Sequence, residues 1–209
     1  RDGRGIFADH GNRAALEAGT HLSAQLVSTR GDTCRLDAVD LRRSFHHLRG
    51  DLARIARALY ALELCRELTR DHQPHEALFD ALLQYLGLLD DGRAGPTSLL
   101  KFELDALQYT GFMPHFAPCA LCGQPTGERP RFDPEAGGVI CQACAPRAPR
   151  AVAVRPEVVD ALARLQAGER TPLPPELRAR GRELLNLFIA HHLGRRLKTV
   201  DFMEQVGTD

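Results

Sequence analysis

Cys119-Ala120-Leu121-Cys122 and Cys141-Gln142-Ala143-Cys144, eighteen residues apart, carry the clearest chemistry of this sequence. Each Cys-x-x-Cys pair supplies two thiolates from one tight turn while the segment between them folds back as a short ribbon, so the spacing fits a tetrahedral zinc site. Gly123 gives the first turn access to a positive φ angle, and Gly137-Gly138 does the same ahead of Val139-Ile140. Four thiolates fill a tetrahedral ion and leave no position for water, so one structural zinc per chain is expected, not a catalytic one. Disulfides fit less well, because no signal peptide opens the chain and a reducing compartment favours metal. A thioredoxin-type pair would open a helix in a βαβ unit, whereas both pairs sit in Pro/Gly-rich irregular sequence. Pro118 before the first pair completes half of a zinc-deaminase signature, but the His-x-Glu that would supply the third ligand and the proton-shuttling carboxylate occurs nowhere.

The elements that must position these cysteines are mostly helices. At 209 residues with 44% hydrophobic content, the chain is long enough to bury a core. Lys+Arg and Asp+Glu balance at 27 each, so no global basic field advertises nucleic acid, and any such binding must come from local patches. No apolar run approaches bilayer length and no leader is visible, which predicts a soluble, intracellular protein with no membrane partner. Up to about Val39 the sequence is strand-like: Ile6-Phe7-Ala8, then 21–27 and 34–39, the last two alternating apolar with polar residues as half-buried antiparallel strands do. Arg30-Gly31-Asp32 lies between them and is read as hairpin turn chemistry, not an adhesion motif. From Leu48 the period becomes helical, with Leu48, Leu52, Ile55, Leu59 and Leu62 expected on the core stripe. A second helix follows Pro74, with Leu78, Leu82, Tyr85, Leu86 and Leu89 inward, and stops at Asp90-Asp91-Gly92; a third runs from Pro96 to Tyr109. After the cysteine segment come helices at 156–166 and 175–192, Gly194 as a stop, and a last turn or two at 200–206. The expected class is α+β, mostly α: an OB-like β unit at 1–44, a helical domain at 45–117 and 150–209, and an inserted four-cysteine ribbon at 118–149.

Three stretches together resemble the bacterial RecO family of recombination mediators: Leu48-Arg49-Gly50-Asp51-Leu52 leading into 59–64; Cys119-x-x-Cys122-Gly123 with Phe132-Asp133-Pro134-Glu135-Ala136-Gly137-Gly138-Val139-Ile140-Cys141-x-x-Cys144; and His192-Leu193-Gly194-Arg195-Arg196-Leu197-Lys198-Thr199. The resemblance covers roughly 40–206. It implies a non-enzymatic protein of the bacterial cytoplasm and nucleoid that binds single- and double-stranded DNA through an N-terminal OB-fold. It further implies contacts with the acidic C-terminal tail of single-stranded-DNA-binding protein and with RecR, strand annealing, and loading of RecA. Such work needs a basic, stacking-capable groove for DNA and a greasy pocket rimmed by Arg or Lys for an acidic, apolar-ended peptide. Arg4, Arg13, Arg42 and Arg43 are the candidates for phosphate, with solvated surface as their alternative role. Arg195, Arg196 and Lys198 are the candidates for the partner, and at a helix C-terminus they would equally serve the helix dipole.

The departure from the family lies at the start, where about three strands precede the helices although an OB barrel has five. Position 1 is Arg rather than Met, and the opening strands are expected to lie upstream or to be shortened, with weak, steeply salt-dependent DNA binding by these residues alone. The alternative from another class is a non-enzymatic zinc-ribbon helical scaffold that binds only proteins; a zinc-thiolate redox switch is a third. No Gly-rich phosphate loop, His-Glu-x-x-His or Gly-x-Ser-x-Gly is present. Adjacent histidines (His46-His47, His191-His192) diverge by about 100° on a helix and are read as surface or cap residues. Cys65 and Cys34 are expected to pack as small hydrophobes on a helix and a strand.

Overall fold

Alternation at the N-terminal end yields β1 (His21–Ser28) and β2 (Cys34–Arg43), paired antiparallel with register shifts after His21 and after Gln25. The computed structural model describes residues 17–29, 34–71 and 73–207. Ile6-Phe7-Ala8 and the loop residues 30–33 lie outside them. The pair is not half-buried as its alternation predicts: Leu26 and Leu41 are 62% and 57% exposed, and Cys34 is exposed too. Its contacts with the helices are made at one end of the hairpin, where His21 and Arg43 pair. The His21 ring meets Phe79 edge-on at 5.6 Å. At the same end of the hairpin, Arg43, the register partner of His21, donates to Asp90 and Asp91 at 3.3 and 2.9 Å and lies 4.7 Å over the Phe45 ring. Phe45 takes a left-handed backbone (φ 47°) and opens a 3-10 turn at His46–Gly50, whose His47 N–H donates to Asp90 at 2.9 Å.

Helix α1 (Leu52–Leu68) starts four residues later than the periodicity predicts, because Asp51 accepts the N–H groups of Ala53 and Arg54 and fixes the N-cap there. Its core face also differs from the expected one. Ala56, Tyr60, Ala61, Leu64, Cys65 and Leu68 are buried, whereas Leu52 is 60% exposed and Ile55, Leu59 and Leu62 are only half-buried. At 100° per residue these Leu/Ile positions fall on the opposite side of the helix from Tyr60 and Leu64. The alanines let neighbouring helices approach closely, so the inner face is marked by Ala56, Ala58 and Ala61 interleaved with Tyr60, Leu64 and Leu68. α2 (Glu76–Asp90) buries Leu78, Tyr85, Leu86 and Leu89 of its predicted stripe and leaves Leu82 half-buried, and α3 (Ser98–Tyr109) packs beside it with Phe102 stacked on Tyr85 at 4.7 Å. α4 (Pro156–Gln166), α5 (Pro175–Leu193) and α6 (Lys198–Val206) complete one helical core with them.

Within that core Glu103 of α3 is fully buried, accepting from the Tyr60 hydroxyl at 2.5 Å and from Arg182 of α5 at 2.9 Å, with the guanidinium 5.1 Å over the Tyr60 ring. Burial pushes the Glu103 carboxyl up, against the opposing pull of Arg182 and the Tyr60 hydrogen bond. The triad ties α1, α3 and α5 to one another.

The last helix is capped by another helix. Leu197 at its N-cap has no side-chain acceptor, and Glu63 of α1 takes the role, accepting from the N–H groups of Lys198 and Thr199 at 3.1 and 2.9 Å and from the Thr199 hydroxyl at 2.6 Å. Burial raises the Glu63 carboxyl, but the Thr199 and Lys198 hydrogen bonds and Arg195 outweigh it and hold the group below the usual range. A depressed carboxylate stabilises the fold above its unfolded value near 4.5 and loses that effect as pH falls through the folded value. Glu63→Gln is therefore expected to cost about 1 kcal/mol at pH 7, by urea midpoint, with the gap to wild type closing as pH falls below the ordinary carboxylate range. A gap that persists at acid pH would mean that the carboxylate is not the cap.

Candidate metal centre

The segment between α3 and α4 folds around a three-stranded sheet, β3 (Arg131–Asp133), β4 (Gly138–Ile140) and β5 (Val152–Ala153), in the order β4-β3-β5 and antiparallel throughout. Alternation along β4 divides its side chains. Val139 joins the helical core beside Phe132, whose ring lies 6.1 Å from both Phe116 and Phe188 of α5; Ile140 faces the other way, into a small cluster with Cys119, Cys141 and Cys144. The hydrogen bonds Val139 N to His115 O and Ala120 N to Val139 O, both 2.8 Å, lead the chain from the sheet edge into the first cysteine turn. Gly138 must be glycine there: at φ 155° a Cβ would sit 2.1 Å from the His115 carbonyl oxygen. Gly123 and Gly137 have the positive φ angles, 70° and 83°, that their places in the turns predict.

The four sulfurs of Cys119, Cys122, Cys141 and Cys144 all lie within 4.8 Å of one another. A zinc ion about 2.3 Å from each of four sulfurs would space them about 3.8 Å apart. Cys122 and Cys141 are separated by 3.8 Å, the edge of such a tetrahedron and far from a disulfide bond. Cys119 Sγ also accepts the Cys141 N–H at 3.3 Å. Burial pushes the Cys119 thiol up, but the N–H groups of Cys141, Leu121 and Cys122 outweigh it and bring it down to about 6. Cys144 is pushed up to about 12 by its hydrogen bond with Cys122, by burial and by the other two thiols. Four thiolates this close cannot all ionise without a compensating cation, and the donor set therefore fits one metal ion.

Most of the other predicted site residues that the structure describes are engaged by acidic neighbours. Arg4 and Arg13 lie outside the described residues. Arg42 is exposed, 3.9 Å from Asp40, while Arg43 is engaged by Asp90 and Asp91. Arg195 bridges to α1, 2.7 Å from Glu67 and 4.0 Å from Glu63; Arg196 pairs with Asp201 at 3.1 Å and with Glu204; the Lys198 side chain is exposed. His191 and His192 are on the surface, the latter 3.0 Å from the Phe188 carbonyl. Cys65 is buried on α1 and its thiol is pushed up to about 12 by burial, as an inert small hydrophobe should be.

A second feature has no counterpart among the predicted residues. A cavity of about 310 Å³ opens between α2, α3 and the end of α4, with Leu88, Pro96, Phe102 and Leu165 among its apolar lining. The acidic groups at its edge are already satisfied, Asp105 by Lys101 and Glu169 by Arg164. Arg93 and Arg170, also lining it, form no ion pair among the described residues. They sit in loops that are distant in sequence, so no motif announces their meeting.

Comparison with known proteins gives a consistent identity. The family model described as recombination protein O C terminal matches residues 49–201. A DNA repair protein RecO from Myxococcus xanthus (strain DK1622) is 60% identical over 195 residues, covering 93% of this chain and 80% of the relative. One from Anaeromyxobacter sp. (strain K) is 48% identical over 200 residues, 92% of this chain and 79% of the relative. The homologue from Symbiobacterium thermophilum (strain DSM 24528 / JCM 14929 / IAM 14863 / T) is 35% identical over 201 residues, with coverages of 91% and 79%. With the four-cysteine cluster and the helical body in place, these matches show that the chain belongs to the RecO family.

Proposed function

We propose that this chain is a non-enzymatic DNA-repair mediator that binds single- and double-stranded DNA, the acidic C-terminal tail of single-stranded-DNA-binding protein, and RecR, and so promotes strand annealing and RecA loading. Family membership supports the repair role. The cysteines hold one structural zinc per chain, whose closed four-thiolate shell supplies folding energy and no open position for a substrate. The division proposed is a β unit at 1–44, a helical body at 45–117 and 150–209, and the zinc-bearing insertion at 118–149. Of the arginines expected to meet phosphate, Arg42 is the described one whose nearest acidic neighbour is weakly placed, whereas Arg43 serves the joint to α2. No helix among the described residues is long and apolar enough to cross a membrane.

The observation that carries peptide binding is the cavity between α2, α3 and α4, where apolar walls meet two arginines that form no ion pair among the described residues. That combination is what an acidic, apolar-ended peptide requires: its side chain fills the cavity and its carboxylates meet the guanidinium groups. Fluorescence anisotropy of a labelled tail peptide should show saturable binding that weakens with salt and with removal of the terminal apolar residue. Exchanging Arg93 and Arg170 for Glu together should lower the affinity about tenfold or more. No binding by folded, metal-loaded protein would favour the protein-only scaffold, with RecR as its partner.

A further inference from the structure

We infer that Cys122 is an oxidation site for small hydroperoxides and that Cys141 is its resolving thiol, so that a single two-electron oxidation removes two of the four ligands of the metal centre. The inference rests on the assignment of the four cysteines to zinc. Three of them are shielded: Cys119, Cys141 and Cys144 are 2%, 8% and 6% exposed, whereas Cys122 is open to solvent at the outer turn. The neighbouring backbone is open as well: among the described residues, a Cβ built on Gly123 would meet no atom within 4 Å. A small oxidant can therefore reach the Cys122 sulfur and is kept from the others. In the opposite knuckle the Cys141 sulfur stands 3.8 Å from that of Cys122, with Cys144 as the other thiol there.

The chemistry balances with one hydroperoxide and two protons. The Cys122 thiolate attacks the outer peroxide oxygen, the O–O bond breaks, and the departing alkoxide takes a proton and leaves as alcohol, or as water when the oxidant is hydrogen peroxide. The Cys141 thiolate then attacks the sulfenic sulfur; an S–S bond forms, and the hydroxide lost from Cys122 leaves as water with the second proton. The two thiolate sulfurs give up two electrons and the peroxide accepts them. Closing the bond needs an approach from 3.8 Å to about 2.05 Å, a short movement of two turns, not a refolding of the sheet. Cys119 and Cys144 alone cannot retain the ion.

Exposed Cys34 on β2 provides an internal reference. Zinc-loaded full chain is titrated with hydrogen peroxide while a metallochromic chelator reads released zinc and mass spectrometry maps the disulfides. The expected result is one zinc per chain released in step with a Cys122–Cys141 disulfide, before Cys34 is consumed, and zinc retention restored by a dithiol reductant with added zinc. Cys122→His keeps four zinc-competent ligands and should release the metal about tenfold more slowly or less. Zinc retained while Cys34 is oxidised, a disulfide joining Cys119 to Cys144 instead, or undiminished release from Cys122→His would overturn the inference. A reduced, folded chain that never binds zinc would remove the metal assignment itself, a different failure from the other three.

Discussion

Cys144→Ser should yield a chain that purifies without zinc, with amide protection lost across 115–153 and most helical circular dichroism retained. The size of the effect follows from the site's construction. Structural zinc contributes about 10–16 kcal/mol of apparent binding free energy in small Cys/His sites, and most of it depends on a complete ligand set. The segment has little else to replace it: its own small apolar cluster comprises Ile140, Ala148 and Ala151 besides three of the cysteines. The loss should not stop at the cysteine turns, because Phe132 and Val139 belong to the helical core and Phe132 lies 6.1 Å from Phe188. Thermal unfolding of the helical body should therefore move to lower temperature as well. Metal analysis with hydrogen exchange checks both parts, and a metal-free Cys144→Ser chain with wild-type protection in this segment would refute the structural role.

Arg182→Met should be the most damaging single change in the helical body, at about 3–5 kcal/mol, the usual cost of leaving a buried charge without its partner. For a chain of this length that corresponds to a fall in melting temperature of roughly 10 °C. Arg182 and Glu103 have side chains 7% and 0% exposed, so water cannot substitute for the missing guanidinium. Glu103→Leu combined with Arg182→Met should recover most of the loss, because an apolar pair of similar volume often replaces a buried ion pair at little cost. The pH dependence has a definite sign. Without Arg182, burial is left to push the Glu103 carboxyl further above its ordinary value. A group raised in the folded state favours folding at low pH and loses that contribution as pH rises through the folded value. The deficit of Arg182→Met should thus be smaller at pH 5 than at pH 8; a deficit independent of pH would place the damage in packing, not charge.

What could be read from sequence followed local physics. Pro156 and Pro175 at first-turn positions and Gly194 at a helix end are one-residue signals: α4 and α5 begin on the prolines, and α5 ends one residue before the glycine. Two Cys-x-x-Cys turns likewise announce a cluster because each turn pre-forms half of it. What was hidden depended on tertiary choice. α1 carries a leucine stripe and an alanine-rich face, and hydrophobic periodicity prefers the leucines; the close approach of α6, α2 and α3 selects the other side. Arg43 looked available for phosphate because its partners, Asp90 and Asp91, come from the far end of α2. Arg93 and Arg170 carried no signal, since only the fold joins their two loops at one cavity.

Strand β4 also bears on how this architecture can be transplanted or shed. Its consecutive residues Val139 and Ile140 belong to different interiors, one helical and one cysteine-lined. The cysteine-bearing unit is therefore not a cassette that could be excised and its ends rejoined: removing it would open a hole where Phe132 and Val139 sit against Phe116. A descendant that abandoned the thiols could keep this architecture only by retaining those two side chains and refilling the space around Ile140 with carbon. An engineer grafting the unit onto a foreign helical host would have to carry the aromatic floor along with the ligands.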